Sequence, residues 1–203
     1  HIGIDPIRLI KAVLVNIRSN SAQQGASTIT QQVVKNSLLT SDKSLQRKIQ
    51  EAYLSLKLEN RYSKDDILEM YMNKIYYSDG QYGIKTAAKY FYNKELNQLT
   101  LPQIALLTGM PQQPILYNPY DYPEQAKERR NTVLYALLNN DKITEAEYNN
   151  AINTPIMDGI VEKTKEERAN QHTYNSKYAA YIDQITKELK ENQNFENIKD
   201  PLS

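Results

Sequence analysis

The chain contains no cysteine, which excludes a disulfide-stapled scaffold, a thiolate metal site and a cysteine nucleophile while leaving the compartment open. Histidine is nearly as scarce. His1 and His172 are the 2 present, so neither a histidine-based triad nor a multi-histidine metal site is expected, and carboxylates and cations are the chemistry that remains. An excess of one charge is missing too. Lys plus Arg number 25 against 24 for Asp plus Glu, so no nucleic-acid partner is expected and any anion site must be a local cluster. No apolar run approaches the roughly 18 residues needed to cross a bilayer; the longest, Ala12 to Val15 and Ile104 to Leu107, are of core size. Glycine and proline number 6 and 8 in 203 residues, which removes collagen-like and low-complexity readings. The length suits one domain, or one domain with an appendage. The chain opens on His1 with no basic segment leading into an apolar run, so no signal peptide or anchor is visible. It is expected to be a piece of a longer protein, with a further domain beyond Ser203.

What is present is helical periodicity. Ile4, Ile7, Ile10, Val13, Leu14 and Ile17 recur every three or four residues and predict an amphipathic helix, ending in Ser19 to Gln24. Ser27 or Thr28 can cap a second helix running to about Leu39. A third spans Lys43 to about Tyr62 and is expected to bury Ile49, Ala52, Tyr53, Leu56 and Leu58. Ser63-Lys64-Asp65-Asp66 is a capping-box pattern opening a fourth, which continues toward Tyr76. Asp79-Gly80 signals a turn, and helices are expected over Ile84 to Tyr92 and Thr100 to Met110, the latter with a Thr100-x-x-Gln103 cap. Pro111, Pro114, Pro119 and Pro123 predict an ordered extended loop. Helices follow over Glu124 to Leu138, from Thr144-x-x-Glu147 to about Ile152, and over Ser176 to Asn192, with Thr154 to Thr173 as a polar connector. Strand signals are nearly absent. The reading is an all-α domain of roughly eight to ten helices.

The strongest chemical constellation lies between residues 25 and 51. Gly25-Ala26-Ser27-Thr28-Ile29-Thr30-Gln31-Gln32 sets small residues and hydroxyls at a helix N-terminus, where unpaired N–H groups and the dipole favour an anion. Ser27, Gln31 and Lys35 follow at i, i+4 and i+8 on one face, with Gln32 beside them. The plain alternative is a capped helix with a polar solvent face. The next helix carries Lys43, Arg47, Lys48 and Glu51, in which Arg47 and Glu51 are i, i+4 partners and Lys48 and Glu51 are i, i+3 partners. That set is either a surface ion-pair cluster, worth about 0 to 1 kcal/mol, or a carboxylate among cations of the kind that holds a phosphate-bearing substrate.

Taken in order, the Gly25 to Gln32 string, Arg47-Lys48-x-x-Glu51, Ile67-Leu68-Glu69-x-Tyr71-x-Asn73 with a following Gly, and Gly109-x-Pro111-Gln112-x-Pro114-x-x-Tyr117-x-Pro119 resemble motifs of glycosyltransferase family 51. These are the peptidoglycan glycosyltransferases, which include the N-terminal catalytic domain of class A penicillin-binding proteins. The resemblance covers about residues 1 to 135. It implies a lysozyme-like α-helical fold with a small membrane-proximal subdomain, and polymerisation of lipid II into β-1,4-linked glycan strands with inversion. The donor would be the growing glycan chain on undecaprenyl pyrophosphate, which is released. The implied location is the extracytoplasmic face of the bacterial cell membrane, and moenomycin is the inhibitor expected.

The family's first motif places a catalytic Glu shortly before a His-x-Gly. His1-Ile2-Gly3 resembles the tail of that motif, so the general-base Glu is expected to lie ahead of the chain. By the same resemblance the second acidic residue is Glu51, which either assists the departing pyrophosphate or holds the cationic side chains. Ser27, Gln31, Gln32 and Lys35 would line the donor site, Lys43, Arg47 and Lys48 would contact or flank the diphosphate, and Tyr76 would meet the donor sugars. Glu69 and Asn73 read as a brace for the cleft, and Arg129 and Arg130 as anchors of the proline-rich loop. No cofactor is required by the sequence; a divalent metal such as Mg2+ is compatible with the resemblance, though no dedicated metal ligands stand out. Residues 1–155 form the expected catalytic domain, and 156–203 a connector and helix leading toward a transpeptidase domain. The rival readings are a non-catalytic module that binds lipid-linked glycan or a protein, and a lysozyme-like hydrolase.

The charge chemistry agrees with transfer. Departure of a pyrophosphate builds negative charge on its oxygens, and cations already in place stabilise it without reorganising. A hydrolase would need a protonated acid for the leaving sugar oxygen and has no use for a basic cluster.

Overall fold

In the computed structural model the described residues are 28–38 and 45–171. The predicted helices over Ile4 to Ile17 and Ser176 to Asn192, and with them the membrane-proximal segment, lie outside the described residues. Helices dominate the rest. The first, α1 (Ile29–Leu38), is followed by α2 (Leu45–Arg61), α3 (Lys64–Lys74), α4 (Ile84–Tyr92), α5 (Leu101–Gly109), α6 (Pro123–Asn139) and α7 (Glu145–Asn153), with single 3-10 turns at Leu96–Gln98 and Met110–Gln112. Among the described residues there is no strand, only an isolated bridge between Tyr76 and Tyr82.

Local chemistry sets most of the helix starts. Ser63 caps α3 through a reciprocal box: its hydroxyl accepts from the Asp66 N–H at 3.2 Å, and its own N–H donates to the Asp66 carboxylate at 3.0 Å. Thr144 and Glu147 repeat the arrangement at α7, with bonds of 3.2 and 2.7 Å. These bonds hold the Glu147 carboxyl below its ordinary value. At α5 the Gln103 side-chain oxygen accepts from the Thr100 N–H at 3.1 Å.

The apolar centre is α5. Nearly all its residues are buried, among them Leu101, Ile104, Ala105, Leu106 and Leu107, and it packs most extensively on α6 through Val133, Leu134 and Leu137. Helix α1 packs on both α2 and α3, burying Val33 and Val34 against that cluster. At α2 the expected apolar face is inverted. Ile49, Tyr53 and Leu56 are 65, 58 and 65% exposed, Ala52 is exposed as well, and of the five predicted core positions only Leu58 is buried. The buried stripe is Glu51, Ser55 and Leu58, at i, i+4 and i+7. This polar face can be buried because Glu51 is neutralised by Lys48 and the Ser55 hydroxyl donates to the Glu51 carbonyl at 2.6 Å.

Two further expectations are corrected. The proline-rich segment is ordered but built of successive turns rather than extended, with Gln113, Tyr117 and Tyr122 N–H groups donating to the carbonyls of Met110, Gln113 and Asn118. The predicted connector contains a helical stretch at 165–171, opened by Thr164 and Glu167, whose mutual bonds are 2.7 and 3.2 Å. It belongs to a second compact unit that begins at Lys163, the first ending at Glu162. No helix of the described residues is long and apolar enough to cross a membrane.

Candidate active site

The N-terminus of α1 is closed by its own sequence. The Thr28 N–H donates to Gln31 Oε1 at 2.7 Å, and the Gln31 N–H donates to Thr28 Oγ1 at 3.1 Å. Thr28 therefore serves as a cap, and Gln31, expected to line the donor site, spends its carbonyl on that cap. Gln32 is half-buried and Lys35 is exposed one helical turn on. Thr30, buried on the opposite side, donates to Glu59 Oε1 at 2.6 Å, and Glu59 pairs with Lys64 at 2.9 Å. Helix α1 is thus keyed to the end of α2 and the start of α3. The Thr30 hydrogen bond, followed by the bond from Lys64, holds the Glu59 carboxyl below its ordinary value.

On α2 the Lys48 ammonium donates to both Glu51 oxygens, at 2.8 and 3.0 Å. The Glu51 side chain is 2% exposed and that of Lys48 is 52% exposed. The carboxylate therefore stands in the interior with its cation at the surface. The Arg47 side chain, Ser27 and Lys43 lie outside the described residues. Of the predicted set, the structure brings Lys48 and Glu51 together and packs the helix bearing Gln31, Gln32 and Lys35 against theirs. Two cavities elsewhere are lined by other residues: one at Tyr92, Gln103, Arg130 and Asp158, and one at Leu138 to Glu147. Among the described residues no three His, Asp or Glu side chains are grouped as a metal cage.

Tyr76 sits at the entry of a tight turn and is half-buried, its ring 5.1 Å from that of Tyr82. Between them Ser78, Asp79 and Gly80 all adopt positive φ, 77°, 46° and 73°. Asn118, 1% exposed, donates to Ser78 Oγ at 3.1 Å and to Asp79 Oδ1 at 2.9 Å, while the Tyr90 hydroxyl donates to Asp79 Oδ2 at 3.0 Å. Sequence reasoning passed over Asn118, leaving it as the unassigned position between Tyr117 and Pro119. Its signal was an Asn before a Pro, a turn-forming pair. Glu69 and Asn73 are exposed and no hydrogen bond joins their side chains. The contact at this point is backbone: the Asn73 carbonyl lies 2.7 Å from where a Cβ on Gly83 would stand. Arg129 anchors the proline-rich segment, donating to the Gly109 carbonyl at 3.1 Å with its guanidinium over the Tyr117 ring. Arg130 instead closes the end of α7, donating to the carbonyls of Thr154 at 2.6 Å and Ile152 at 3.0 Å.

The pattern described as Transglycosylase matches residues 1–138. The chain belongs to the transglycosylase family. Penicillin-binding protein 1A/1B of Bacillus subtilis (strain 168) is 44% identical over 204 residues, 100% of this chain and 22% of that protein. Penicillin-binding protein 1A of Streptococcus oralis is 47% identical over 192 residues, 93% of this chain and 29% of that protein. A crystal structure of penicillin-binding protein 1A from Haemophilus influenzae aligns at 28% identity with a TM-score of 0.43, over 68% of this chain and 18% of that one. The chain thus spans about a quarter of the length of the curated relatives it matches. The Lys48–Glu51 pair and the Tyr76 turn both fall inside the transglycosylase match.

Proposed function

We propose that this transglycosylase-family chain works as a peptidoglycan glycosyltransferase, joining lipid II to a growing glycan chain through β-1,4 bonds with inversion and release of undecaprenyl pyrophosphate. The acceptor hydroxyl attacks the anomeric carbon of the donor from the opposite face, its proton passing to a carboxylate, while the bond from that carbon to the phosphate oxygen breaks with its electrons on the pyrophosphate. The resemblance assigns the proton to a Glu ahead of His1-Ile2-Gly3. The residues of this chain would serve the leaving group.

The observation that carries this reading is the Lys48–Glu51 pair. A carboxylate 2% exposed, with both oxygens taken by one lysine, suits the second of the two roles left open for Glu51: it holds a cation in place. Lys48, half-exposed, keeps the third N–H of its ammonium for a phosphate oxygen, and Lys35, Lys43 and Arg47 would add to the same field. Such pre-placed donors act where charge develops in the transition state. A divalent cation such as Mg2+ finds no cage among the described residues, and no step here uses one. The reading places the chain at the outer face of the cytoplasmic membrane, where lipid-linked substrate is reached.

The test joins the relatives' preceding catalytic segment to His1 and supplies labelled lipid II. Moenomycin-sensitive polymer is expected. Binding without turnover would replace the reading with that of a binding module, and release of reducing ends from finished glycan would replace it with a hydrolase.

A further inference from the structure

The turn between Tyr76 and Tyr82 is built more elaborately than a surface connection requires. Its ends are fixed by backbone bonds, Tyr77 N–H to Gln81 carbonyl at 2.8 Å and Gly83 N–H to Ile75 carbonyl at 2.9 Å. Its three central residues are left-handed, and two of them, Ser78 and Asp79, are not glycine. L-residues resist that region because Cβ crowds the carbonyl, so such a run persists only where its surroundings enforce it. Here the enforcement comes from the interior. Asn118, on the proline-rich segment 39 and 40 positions away in the chain, grips both non-glycine side chains, and Gln81 Nε2 donates to the Asp79 carbonyl at 2.8 Å.

The turn so bracketed carries a pair of aromatic rings in contact at its two ends. Tyr76 is half-buried, with its hydroxyl accepting from the Gly80 N–H at 3.4 Å. Tyr82 leans on it at 44°, yet is itself 62% exposed. A rigid tyrosine face offers a large contact area with two rotatable angles to lose, and the C–H face of a pyranose ring is the complementary surface.

We propose that Tyr82, seated on Tyr76 and held by the Asn118–Asp79 bracket, is a stacking platform for a sugar ring of the glycan chain. The identity of the glycan rests on the glycosyltransferase reading; the platform rests on the turn. Tyr82 touches the sugar, and Asn118 and Asp79 act through it as positioning residues.

The experiment titrates the chain with a soluble β-1,4-linked N-acetylglucosamine tetramer, followed by saturation transfer from tyrosine ring protons. Tyr82→Ala, at an exposed position, should leave thermal unfolding unchanged and weaken tetramer binding roughly three- to tenfold, the loss of one aromatic contact. Tyr82→Phe keeps the ring and should bind within about twofold of the parent. Asn118→Ala should weaken binding with Tyr82 intact, and Asn118→Asp, which keeps the shape but loses the donor, should do the same. Absence of tetramer binding by the parent, or equal binding by parent and Tyr82→Ala, overturns the platform. The two readings separate cleanly. Polymerisation of lipid II with an unchanged KM in Tyr82→Ala keeps the glycosyltransferase and removes the platform, whereas Tyr82-dependent tetramer binding in a protein that never polymerises keeps the platform and removes the glycosyltransferase.

Discussion

Exchanging Glu51 for Gln separates catalysis from folding. The amide has the same shape, so packing beside Ser55 and Leu58 is kept, while the charge that draws Lys48 inward is gone. Lys48 is already 52% exposed, so its ammonium returns to water at little cost. A desolvated carboxylate disappears at the same time, and the net stability change should stay within about 1 kcal/mol of zero. Activity should not be spared. If the function of Glu51 is to fix Lys48 for the leaving pyrophosphate, freeing the lysine forfeits one charged donor, about 2 to 4 kcal/mol of barrier, and kcat falls roughly 30- to 1,000-fold with KM for the donor little changed. Lys48→Met reverses the stability outcome. It leaves a carboxylate 2% exposed without its two hydrogen bonds; a fully buried pair broken this way costs about 3 to 5 kcal/mol, and water reaching in along the half-exposed lysine path reduces that to about 1 to 3. Scanning calorimetry should place Lys48→Met several degrees below the parent and Glu51→Gln beside it, since about 1 kcal/mol moves Tm by roughly 2 to 4 °C at this size. Glu51→Gln turning over at the parent kcat, or melting as low as Lys48→Met, would refute the positioning role.

Gly83→Ala should be strongly destabilising. Its φ of 87° and a Cβ 2.7 Å from the Asn73 carbonyl oxygen add backbone strain to an overlap that no side-chain rotation relieves; a loss of about 2 kcal/mol or more in urea unfolding is expected. Stability should fall in acid partly through Glu59. Its carboxyl is held below the ordinary 4.5, so its contribution is complete above the unfolded-state value and is lost as pH falls through the lower folded value. Glu59→Gln should flatten the unfolding free energy against pH below about 4.5 and leave it parallel to the parent above. Arg130→Met removes a guanidinium from a 1% exposed site and strands the Thr154 and Ile152 carbonyls. A lowered urea midpoint with unchanged slope, amounting to about 2 to 4 kcal/mol, is expected.

Helices were legible wherever cap chemistry and apolar spacing agreed. The Ser63 and Thr144 boxes put α3 and α7 within a residue or two of their observed starts, and α4 runs over Ile84–Tyr92 as its periodicity implies. A cap of the same kind stands at Thr164-x-x-Glu167, a signal that the polar composition of the expected connector does not reveal. The proline-rich segment shows the limit of composition alone. Four prolines forbid a long helix, but they do not choose between an extended path and a chain of turns; that choice was made by Asn118, whose carbonyl and side-chain oxygens both accept from the backbone that follows, at Tyr122 and Tyr120.

Helix α2 departs from its expected face for a different reason. Apolar spacing ranks faces by hydrophobicity, and by that measure Ile49, Tyr53 and Leu56 belong inside. The chain turns Glu51 and Ser55 inward instead. Burying a carboxylate in preference to an isoleucine costs stability, since the isoleucine face stays wet and the carboxylate loses its hydration. Such an inversion persists where the buried charge has work that an apolar residue cannot do. Lys48 limits the cost by binding both carboxylate oxygens, and the same contact fixes the direction of a cation at the surface. The residue pair singled out by charge spacing and the helix face misjudged by apolar spacing are therefore one feature. At Ser78 and Asp79 the pattern repeats, with local backbone preference overridden by the buried side chain of Asn118. In both places a buried polar group holds its partner, Lys48 in the first and the Ser78–Asp79 turn in the second, in a position that local preference would not impose.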